Sequence, residues 1–396
     1  MKLGPQVLIV AGEASGDLHG ARLLSELQSR LPGLRAFGLG GDQLQAAGLD
    51  AVAHSSEISV VGITEVWKIL PRARQIFADL VAEVERRRPA LAVLIDFPDF
   101  NLRLARALAE RGVRVVYYIS PQVWAWRRSR IHTIARLVER VLVLFPFEAE
   151  FYRGAGVEVV HVGHPLVDEV PEIPNVWERE GGTAAPGPPE TGPYRIALLP
   201  GSRRSEVAAL LPGMLEAVRL LARELPVEAH VIQAQTIPDE LIAEPIALAG
   251  LPVSVVSEER FAAIADSHLA LCASGTATLE VGLLGTPMIV VYRLAAGTYL
   301  LARLLVRLPD VALVNLVLGR RVVPELIQGD ARPENLAREA ARLLADRPAL
   351  AEMRRALAEL RGRLGESGAS ARAASEIAGM LAPAPRVPLR GAGGAA

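Results

Sequence analysis

Short runs rich in Val, Ile and Leu alternate along the chain with longer segments of helical periodicity. In the first half these runs predict strands at residues 7–11, 35–39, 91–95, 113–119 and 141–145. A second series predicts strands at residues 196–199, 228–232, 253–256, 269–272 and 288–291. Repeated strand–helix units are typical of parallel sheets covered by helices on both faces. We therefore expect an α/β protein with two doubly wound, Rossmann-like lobes that face each other across a cleft.

The segments outside the two series set the expected domain boundaries. Periodicity is lost over residues 164–193, and residues 181–189 are rich in Gly and Pro, as is typical of a flexible linker. Residues 332–381 have the composition and spacing of consecutive helices. The predicted organisation is an N-terminal domain at 1–163, a linker at 164–193, a C-terminal domain at 194–344, C-terminal helices at 345–382 and a disordered tail at 383–396.

Length and charge narrow the class of protein. A chain of 396 residues is long enough for two ordinary domains. Its 43 basic and 44 acidic residues nearly cancel, which argues against a nucleic-acid partner held by a strong overall field. No apolar run reaches the roughly 18 residues of a spanning helix, the start lacks a signal-peptide pattern, and the lone Cys272 cannot form an internal disulfide. We expect a cytoplasmic protein.

In parallel α/β sheets, ligands bind beside the turns that leave the carboxyl ends of strands, and the first such turn is glycine-rich. Its candidate binding residues are Gly12, Glu13, Ser15, Gly16 and Asp17. Backbone amides at the following helix start could face an anionic group; alternatively, Ser15 or Asp17 simply caps that helix. The spacing differs from the dinucleotide pattern G-x-G-x-x-G, which argues against a redox cofactor.

A carboxylate turn follows the strand predicted at 91–95. Asp96 would lie at the mouth of the cleft, where partial burial raises the pKa of a carboxyl group and suits it to remove a proton from a sugar hydroxyl. A plain turn residue is the equal alternative for Asp96 considered alone. Asp99 is expected to cap the helix that starts near Asn101.

Two turns of the second lobe suit phosphate groups. Gly201, Ser202 and Arg203 follow a predicted strand and open a helix, which favours pyrophosphate binding. Arg203 would offset the charge of a departing nucleoside diphosphate, unless it is only a solvated arginine. The turn after 269–272 consists of Ser274, Gly275, Thr276, Ala277 and Thr278. Glu280, on the same helix face, would reach ribose hydroxyls or else pair with an arginine.

A carboxylate turn in one lobe and two phosphate-binding turns in the other favour a glycosyltransferase, with an acceptor site facing a donor site. No Asp-x-Asp pair follows a strand, and the seven histidines lack metal-ligand spacing. We therefore expect no required metal and no other cofactor. The absence of a G-x-S-x-G elbow argues against a serine hydrolase.

Taken together, the motifs resemble those of the lipid-A-disaccharide synthase family from residue 7 to about residue 344. They are AGEASGD at 11–17, DFPDFN at 96–101, SPQVWAWR at 120–127, FPFE at 145–148, GHP at 163–165, LPGSR at 199–203 and ASGTATLE at 273–280. The resemblance implies the GT-B fold of nucleotide-sugar glycosyltransferases. It also implies an acyl-sugar acceptor mainly on the N-terminal lobe and a UDP donor mainly on the C-terminal lobe.

The implied reaction transfers the sugar of UDP-2,3-diacylglucosamine to 2,3-diacylglucosamine 1-phosphate (lipid X), with inversion, to give lipid A disaccharide 1-phosphate and UDP. The family pattern makes Asp96 the base, Arg203 the donor phosphate contact, and Glu280 a UDP ligand together with the 274–278 turn. The family's Pro-Asn-Leu segment reads Val314-Asn315-Leu316 here. Asn315 is still expected to face the nucleotide.

Both implied substrates carry acyl chains, so we expect peripheral association with the cytoplasmic face of the inner membrane. Residues 60–74 and 300–308 mix large apolar side chains with cations, but each also fits an amphipathic helix packed on its own sheet. Trp124, Trp126 and Arg127 either contact substrate or support the scaffold. A homodimer is a further possible assembly.

Two rival hypotheses stay open. One is another two-lobed nucleotide-sugar enzyme, such as a transferase acting on a peptidoglycan lipid precursor or a sugar epimerase. The other is a non-catalytic nucleotide-binding or membrane-scaffolding protein. Turnover with unacylated acceptors would favour a broader transferase, and UDP binding without turnover would favour the scaffold.

Overall fold

The computed structural model describes residues 4–58, 66–121, 123, 129–181, 192–293 and 310–382. Several predicted features lie outside these residues: part of the 60–74 segment, the residues Trp124, Trp126 and Arg127, most of the Gly/Pro-rich stretch, the 300–308 segment and the 383–396 tail. The described residues form two parallel β-sheets, each flanked by helices.

The first sheet has seven parallel strands within the described residues, in the order β3-β2-β1-β4-β5-β6-β7. The five predicted strands are confirmed as the interior of this sheet, and the two edge strands, β3 and β7, were not predicted. The strands are β1 (Gln6–Ala11), β2 (Arg35–Gly40), β3 (Leu49–His54), β4 (Leu91–Ile95), β5 (Val115–Tyr118), β6 (Arg140–Val143) and β7 (Val159–His161).

The second sheet has six parallel strands among the described residues, in the order β10-β9-β8-β11-β12-β13. All five predicted strands are confirmed, and the edge strand β13 was not predicted. The strands are β8 (Tyr194–Leu199), β9 (Val227–Ile232), β10 (Val253–Val256), β11 (Leu269–Ala273), β12 (Met288–Tyr292) and β13 (Glu325–Ile327).

Continuous apolar sequence explains the central strands. Every residue of β4 and β11 is buried, as expected for parallel strands covered by helices on both faces. Strand order reverses between β1 and β4 in the first sheet and between β8 and β11 in the second. The turns after these four strands therefore lie at the two topological switch points, where doubly wound sheets bind ligands.

Helices cover both sheets, and the consecutive helices predicted for 332–381 are confirmed. The helices are α1 (Ala14–Arg30), α2 (Asp42–Ala46), α3 (Val66–Arg87), α4 (Pro98–Ala109), α5 (Arg130–Leu137), α6 (Pro146–Arg153), α7 (Leu166–Glu169), α8 (Val176–Gly181), α9 (Arg204–Leu221), α10 (Glu240–Ala249), α11 (Arg260–Ala265), α12 (Ala277–Leu283), α13 (Leu313–Leu318), α14 (Pro333–Ala345), α15 (Arg347–Ala358), α16 (Leu360–Leu364) and α17 (Ala369–Leu381). Among the described helices, none has the length and apolar character needed to cross a membrane.

The segment predicted as a linker contains two short helices, α7 and α8, that the sequence did not predict. Val176 and Trp177 are buried, and the indole N–H of Trp177 donates to the carbonyl of His268 at 3.2 Å. Helix α8 therefore packs against the second lobe.

The last helix returns to the first lobe of the same chain, where α17 packs against α1. Arg114 donates to the carbonyl of Met380 at 2.7 Å, Arg140 pairs with Glu376 at 2.7 Å, and Arg372 donates to the carbonyl of Val162 at 2.8 Å. The chain therefore crosses between the lobes twice, once between β7 and α8 and once between α16 and α17.

Candidate functional site

Asp96 lies directly after β4 in a strained turn. Asp96 and Phe97 both have left-handed backbone conformations, with φ values of 44° and 48°. The carbonyl of Asp96 accepts hydrogen bonds from the Asn101 amide at 2.7 Å and from the Tyr117 hydroxyl at 2.6 Å. Such conformations persist only where the surroundings hold them, and they cluster at functional sites. Asn101, expected only as the helix start, thus supports the turn that presents Asp96.

The environment of Asp96 raises its pKa to about 6. Burial is the main cause, because it disfavours the charged carboxylate. The nearby negative charge of Glu13 raises the pKa further, and a hydrogen bond from the Phe97 backbone partly opposes the shift. A carboxylate with this pKa is still mostly ionised at neutral pH and holds a proton more strongly than an ordinary aspartate. These are the properties required of a general base.

Asp96 borders a cavity of about 280 Å³, called here the Asp96 cavity. The residues come from strand ends and helix starts of the first lobe, with two from the second. They are Ser15, Gly16, His19, Asp96, Ile119, Ser120, Leu144, Phe145, Glu148, His164, Thr276 and Leu313. Ser15 and Gly16, predicted as binding residues, therefore do lie together with Asp96.

The other residues of the first turn have different positions. A Cβ atom at Gly12 would lie 2.4 Å from the Phe97 ring, so Gly12 permits the close approach of the two turns. Glu13 precedes α1 without a side-chain cap and acts on Asp96 through its charge. The buried carboxylate of Asp17 accepts hydrogen bonds from the backbone N–H groups of Gly41, Gln43 and Leu44. Asp17 therefore caps α2 rather than α1, and it does not line the cavity.

Two histidines of the Asp96 cavity, His19 and His164, were given no role in the sequence analysis. Burial is the largest cause that lowers the pKa of each imidazole. The pKa of His164 falls to about 3, and its neighbours His19 and His161 add to the effect of burial. For His19, the charge of Glu169 opposes the fall in pKa and that of Arg22 adds to it. His164 Nδ1 accepts the backbone N–H of Leu166 at 3.1 Å. Both imidazoles are therefore neutral at neutral pH and add no positive charge beside Asp96.

The switch point of the second lobe borders another cavity, of about 270 Å³, called here the Arg203 cavity. It contains most of the residues predicted for phosphate and ribose binding. Its lining is Leu199, Gly201, Ser202, Arg203, Glu206, Ile232, Gln233, Ala234, Arg260, Ala273, Ser274, Gly275, Thr276, Ala277 and Glu280. Gln233 and Arg260 were missed because they do not belong to a glycine-rich turn, and Glu206, at the end of the Gly201 turn, was given no role.

Arg203 stands at the entrance of this cavity. Its side chain is 78% exposed, and Nη1 lies 3.0 Å from Glu206 Oε1. Gly201 has a φ of 114°, and a Cβ atom there would lie 2.5 Å from Glu206 Oε2, so only glycine fits this turn without displacing Glu206. The guanidinium is thus held close to the start of α9, where an anion is also favoured by the helix dipole.

Glu280 pairs with an arginine, as one of its two alternatives predicted, and it also lines the Arg203 cavity. Its side chain is only 15% exposed and lines the Arg203 cavity, and its Oε1 lies 3.2 Å from Arg260 Nη2. Burial raises the pKa of Glu280, and the positive charge of Arg260 opposes that rise. The carboxylate is therefore positioned at the cavity by a cation that the sequence did not predict.

Two hydroxyl groups of the 274–278 turn donate hydrogen bonds within the protein. Thr278 is buried and donates to the carbonyl of Gly275 at 2.8 Å, and Ser274 donates to the carbonyl of Val311 at 3.2 Å. These bonds fix the shape of the turn. The side chain of Thr278 does not line the cavity, whereas Ser274, Gly275, Thr276 and Ala277 do.

Asn315 is fully buried and lies outside both cavities. Its Oδ1 accepts from the backbones of Val322 and Val323, and its Nδ2 donates to the carbonyl of Val323 and to Glu325. All of its amide groups are therefore used to shape the loop before β13. Leu313, at the start of the same helix, borders the Asp96 cavity instead.

Thr276 lines both cavities. The Asp96 cavity of the first lobe and the Arg203 cavity of the second therefore adjoin at this residue. A carboxylate with raised pKa thus lies on one side of Thr276, and an arginine at a helix start lies on the other. Within the described residues there is no group of three or more His, Cys, Asp and Glu side chains that could hold a metal ion.

Two parallel-sheet lobes whose switch points meet at adjoining cavities are typical of the GT-B fold class. Comparison with known protein families shows which family of this class the chain belongs to. Residues 7–377 match the family described as Lipid-A-disaccharide synthetase, and the chain belongs to this lipid-A-disaccharide synthase family. It is therefore a glycosyltransferase of lipid A biosynthesis, as the motifs predicted.

Relatives with the same description match almost end to end. The lipid-A-disaccharide synthase of Myxococcus xanthus is 44% identical over 382 residues, covering 96% of this chain and 98% of the relative. That of Anaeromyxobacter dehalogenans (strain 2CP-1) is 46% identical over 382 residues with the same coverage. That of Syntrophus aciditrophicus is 45% identical over 377 residues, covering 93% of this chain and 96% of the relative.

Solved structures confirm the predicted fold class. MurG of Acinetobacter baumannii superposes with a TM-score of 0.59 at 14% identity, covering 95% of this chain and 99% of that protein. The UDP-GlcNAc 2-epimerase of Neisseria meningitidis, solved bound to UDP-GlcNAc, superposes with a TM-score of 0.57 at 12% identity, covering 90% and 97%. At such low identity these likenesses establish the two-lobed fold alone.

Proposed function

We propose that the enzyme transfers the diacylglucosamine of UDP-2,3-diacylglucosamine to a hydroxyl of 2,3-diacylglucosamine 1-phosphate, with inversion. The products are lipid A disaccharide 1-phosphate and UDP. The observation that carries this proposal is the junction of the Asp96 and Arg203 cavities at Thr276. An acceptor in the first cavity and a donor in the second would place the reacting atoms on either side of this residue.

The chemistry is a single displacement. Asp96 accepts the proton of the acceptor hydroxyl. At the same time, the oxygen of that hydroxyl attacks the anomeric carbon of the donor. The bond from that carbon to the diphosphate oxygen breaks, and the electron pair leaves with UDP. Arg203 and the start of α9 stabilise the negative charge that develops on the diphosphate. Attack from the side opposite the leaving group inverts the anomeric centre.

The remaining predicted residues hold the nucleotide. Glu280 would accept hydrogen bonds from the ribose hydroxyls, and the backbone of the 274–277 turn would contact the phosphates beside Gly201 and Ser202. Ser15 and Gly16 would contact the acceptor in the Asp96 cavity. These roles follow from the cavities that the residues line. The side chains of Asp17, Thr278 and Asn315 are bonded within the protein and line neither cavity, so we assign them supporting roles.

Acyl chains on both substrates require delivery from a lipid surface. We infer peripheral association with the cytoplasmic face of the inner membrane. The 60–74 segment is the preferred contact, since it combines apolar residues with Lys68, Arg72 and Arg74 in the acceptor lobe. The homodimer stays a prediction.

The test uses purified protein with both diacylated substrates in detergent micelles, without added metal. We expect release of UDP and formation of the disaccharide in equal amounts. A parallel reaction offers an unacylated acceptor, and equal turnover with it would replace the assignment with a broader transferase. UDP binding without any turnover would contradict the proposed reaction.

A further inference from the structure

Gln233 and Arg260 lie in the Arg203 cavity, yet neither belongs to the turns that suit phosphates. The phosphate turns follow β8 and β11, which are neighbours at the switch point. Gln233 directly follows β9 and Arg260 follows β10, so the two residues lie progressively farther from that point on one side. A nucleotide whose diphosphate occupies the switch point would extend its base over the ends of β9 and β10.

Gln233 presents a hydrogen-bond acceptor whose orientation is fixed by the protein. Its side-chain Nε2 donates to the carbonyl of Ile237 and to Asp239 Oδ1, both at 2.8 Å. Because both partners can only accept, the amide nitrogen must face them. The Oε1 atom then remains, and none of the described residues donates to it. The side chain is buried at 8% exposure, so it has little freedom to turn.

Arg260 presents donors from a guanidinium held on two sides. Its Nη2 lies 3.2 Å from Glu280 Oε1, and its guanidinium carbon lies 4.7 Å from the centre of the Phe261 ring. An arginine offers five N–H donors and no acceptor. The pair with Glu280 uses one amino group, which leaves further N–H groups for a ligand in the cavity.

A fixed acceptor together with a fixed donor matches one pyrimidine better than the other. The Watson–Crick edge of uracil offers an acceptor at O4 and a donor at N3–H, whereas cytosine offers a donor at N4 and an acceptor at N3. Gln233 Oε1 can accept from uracil N3–H while Arg260 donates to O4. With cytosine, Gln233 Oε1 would face the N3 acceptor and Arg260 would face the N4 donor. Neither pair can form a hydrogen bond, so cytosine would be disfavoured at this position.

We propose that Gln233 and Arg260 recognise the base of the donor nucleotide and select uracil over cytosine. This inference rests on the proposed UDP donor and adds the residues that determine its base specificity. Glu280 then has two partners: the ribose of the nucleotide, and Arg260, which it holds in place for the base.

The experiment measures the dissociation constants of UDP and CDP by calorimetry for the wild type, Gln233→Met and Arg260→Ala. The wild type is expected to bind UDP about 100-fold more tightly than CDP, as a site built to hydrogen-bond its ligand rejects a mismatched one strongly. Each variant is expected to bind UDP at least about 10-fold more weakly. The ratio of the two constants should move toward one, because CDP loses a repulsive contact.

Arg219→Ala is the matched control, since Arg219 forms a similar pair with Glu216 on the surface of α9. It should leave both constants unchanged. Thermal unfolding shows whether each variant is folded. An equal loss of UDP and CDP affinity, with an unchanged ratio, would assign Gln233 and Arg260 a structural role and overturn the inference. A wild type that binds UDP and CDP equally would overturn it too, with the proposed function intact. A wild type that binds neither nucleotide would overturn the proposed donor itself.

Discussion

The Asp96 cavity is lined by a partly buried carboxylate, whereas the Arg203 cavity is lined by charges already paired with each other. Burial and a neighbouring carboxylate raise the pKa of Asp96. In the second lobe, Arg203 pairs with Glu206 and Arg260 pairs with Glu280. One cavity thus changes the pKa of its groups mainly through burial, and the other pairs its cations with carboxylates in the absence of a ligand.

The difference follows from the task of each lobe. A base must hold its proton more strongly than a free aspartate does, and desolvation achieves this without a partner. An anion site must exchange its internal partner for a ligand, which requires a weak partner. An exposed pair such as Arg203 with Glu206 contributes only about 0–1 kcal/mol. A diphosphate can therefore replace Glu206 as the partner of Arg203 at little cost.

The largest effect is expected for Asp96→Asn. It removes the base while keeping a residue type that tolerates the left-handed backbone, so kcat should fall about 10²- to 10⁴-fold with UDP affinity unchanged. Steady-state kinetics and calorimetry measure the two quantities. Asp99→Asn is the matched control, because Asp99 lies three residues later, is exposed and pairs with Arg130. A similar loss in both variants would argue against Asp96 as the base.

Arg203→Ala is expected to lower kcat about 10²- to 10³-fold, because charge on the departing diphosphate loses its counterion. Arg204→Ala is the control, since Arg204 is the next residue and is exposed but does not line the cavity. Turnover assays at saturating donor compare the two variants. Equal kcat values for both would mean that the second lobe does not stabilise the leaving group through Arg203.

Asp17→Asn tests whether a predicted binding residue is structural. We expect the free energy of unfolding to fall by about 1–3 kcal/mol, because the cap of α2 loses a charged acceptor of three backbone N–H groups. Urea denaturation gives the stability, and kcat per folded molecule should be retained. Normal stability combined with lost activity would mean that Asp17 takes a direct part in binding or catalysis.

The smallest effect is a shift in the pH profile. The base must be ionised, so kcat/KM should be constant above the pKa of Asp96 and fall about 10-fold per pH unit below about 6. Glu13→Gln removes a nearby negative charge, which lowers the pKa of Asp96 and moves the acid limb to lower pH. Rates measured between pH 4.5 and roughly 8.5 locate the limb. A limb that moves upward or stays in place would contradict the electrostatic role of Glu13.

The strands that are easiest to predict are those whose apolar runs are continuous. β4 and β11 are buried throughout, but β7 and β13 are three residues long and half-buried. A short edge strand has one side open to solvent and needs no apolar run, so its sequence resembles a loop. The helix α8 was missed for a related reason, since it is short and lies next to a Gly/Pro-rich stretch.

The site was predictable where function depends on a turn after a strand, as at Asp96 and Arg203. The site was not predictable where a residue's role depends on its contacts with segments that are distant in the sequence. Asp17 and Asn315 carry the right groups but direct them to backbone amides of other segments. Gln233 and Arg260 belong to turns that carry no recognisable motif. Only the fold brings these two residues into the same cavity as Glu280.

The return of α17 to the first lobe has a consequence for the order of synthesis. Ala373, Ala374 and Ile377 of this helix are fully buried, and α17 covers α1 near the other end of the chain. A nascent N-terminal lobe therefore leaves α1 uncovered until the whole second lobe has emerged from the ribosome. During that interval its exposed apolar surface is a site for chaperone binding or for misassembly between neighbouring nascent chains.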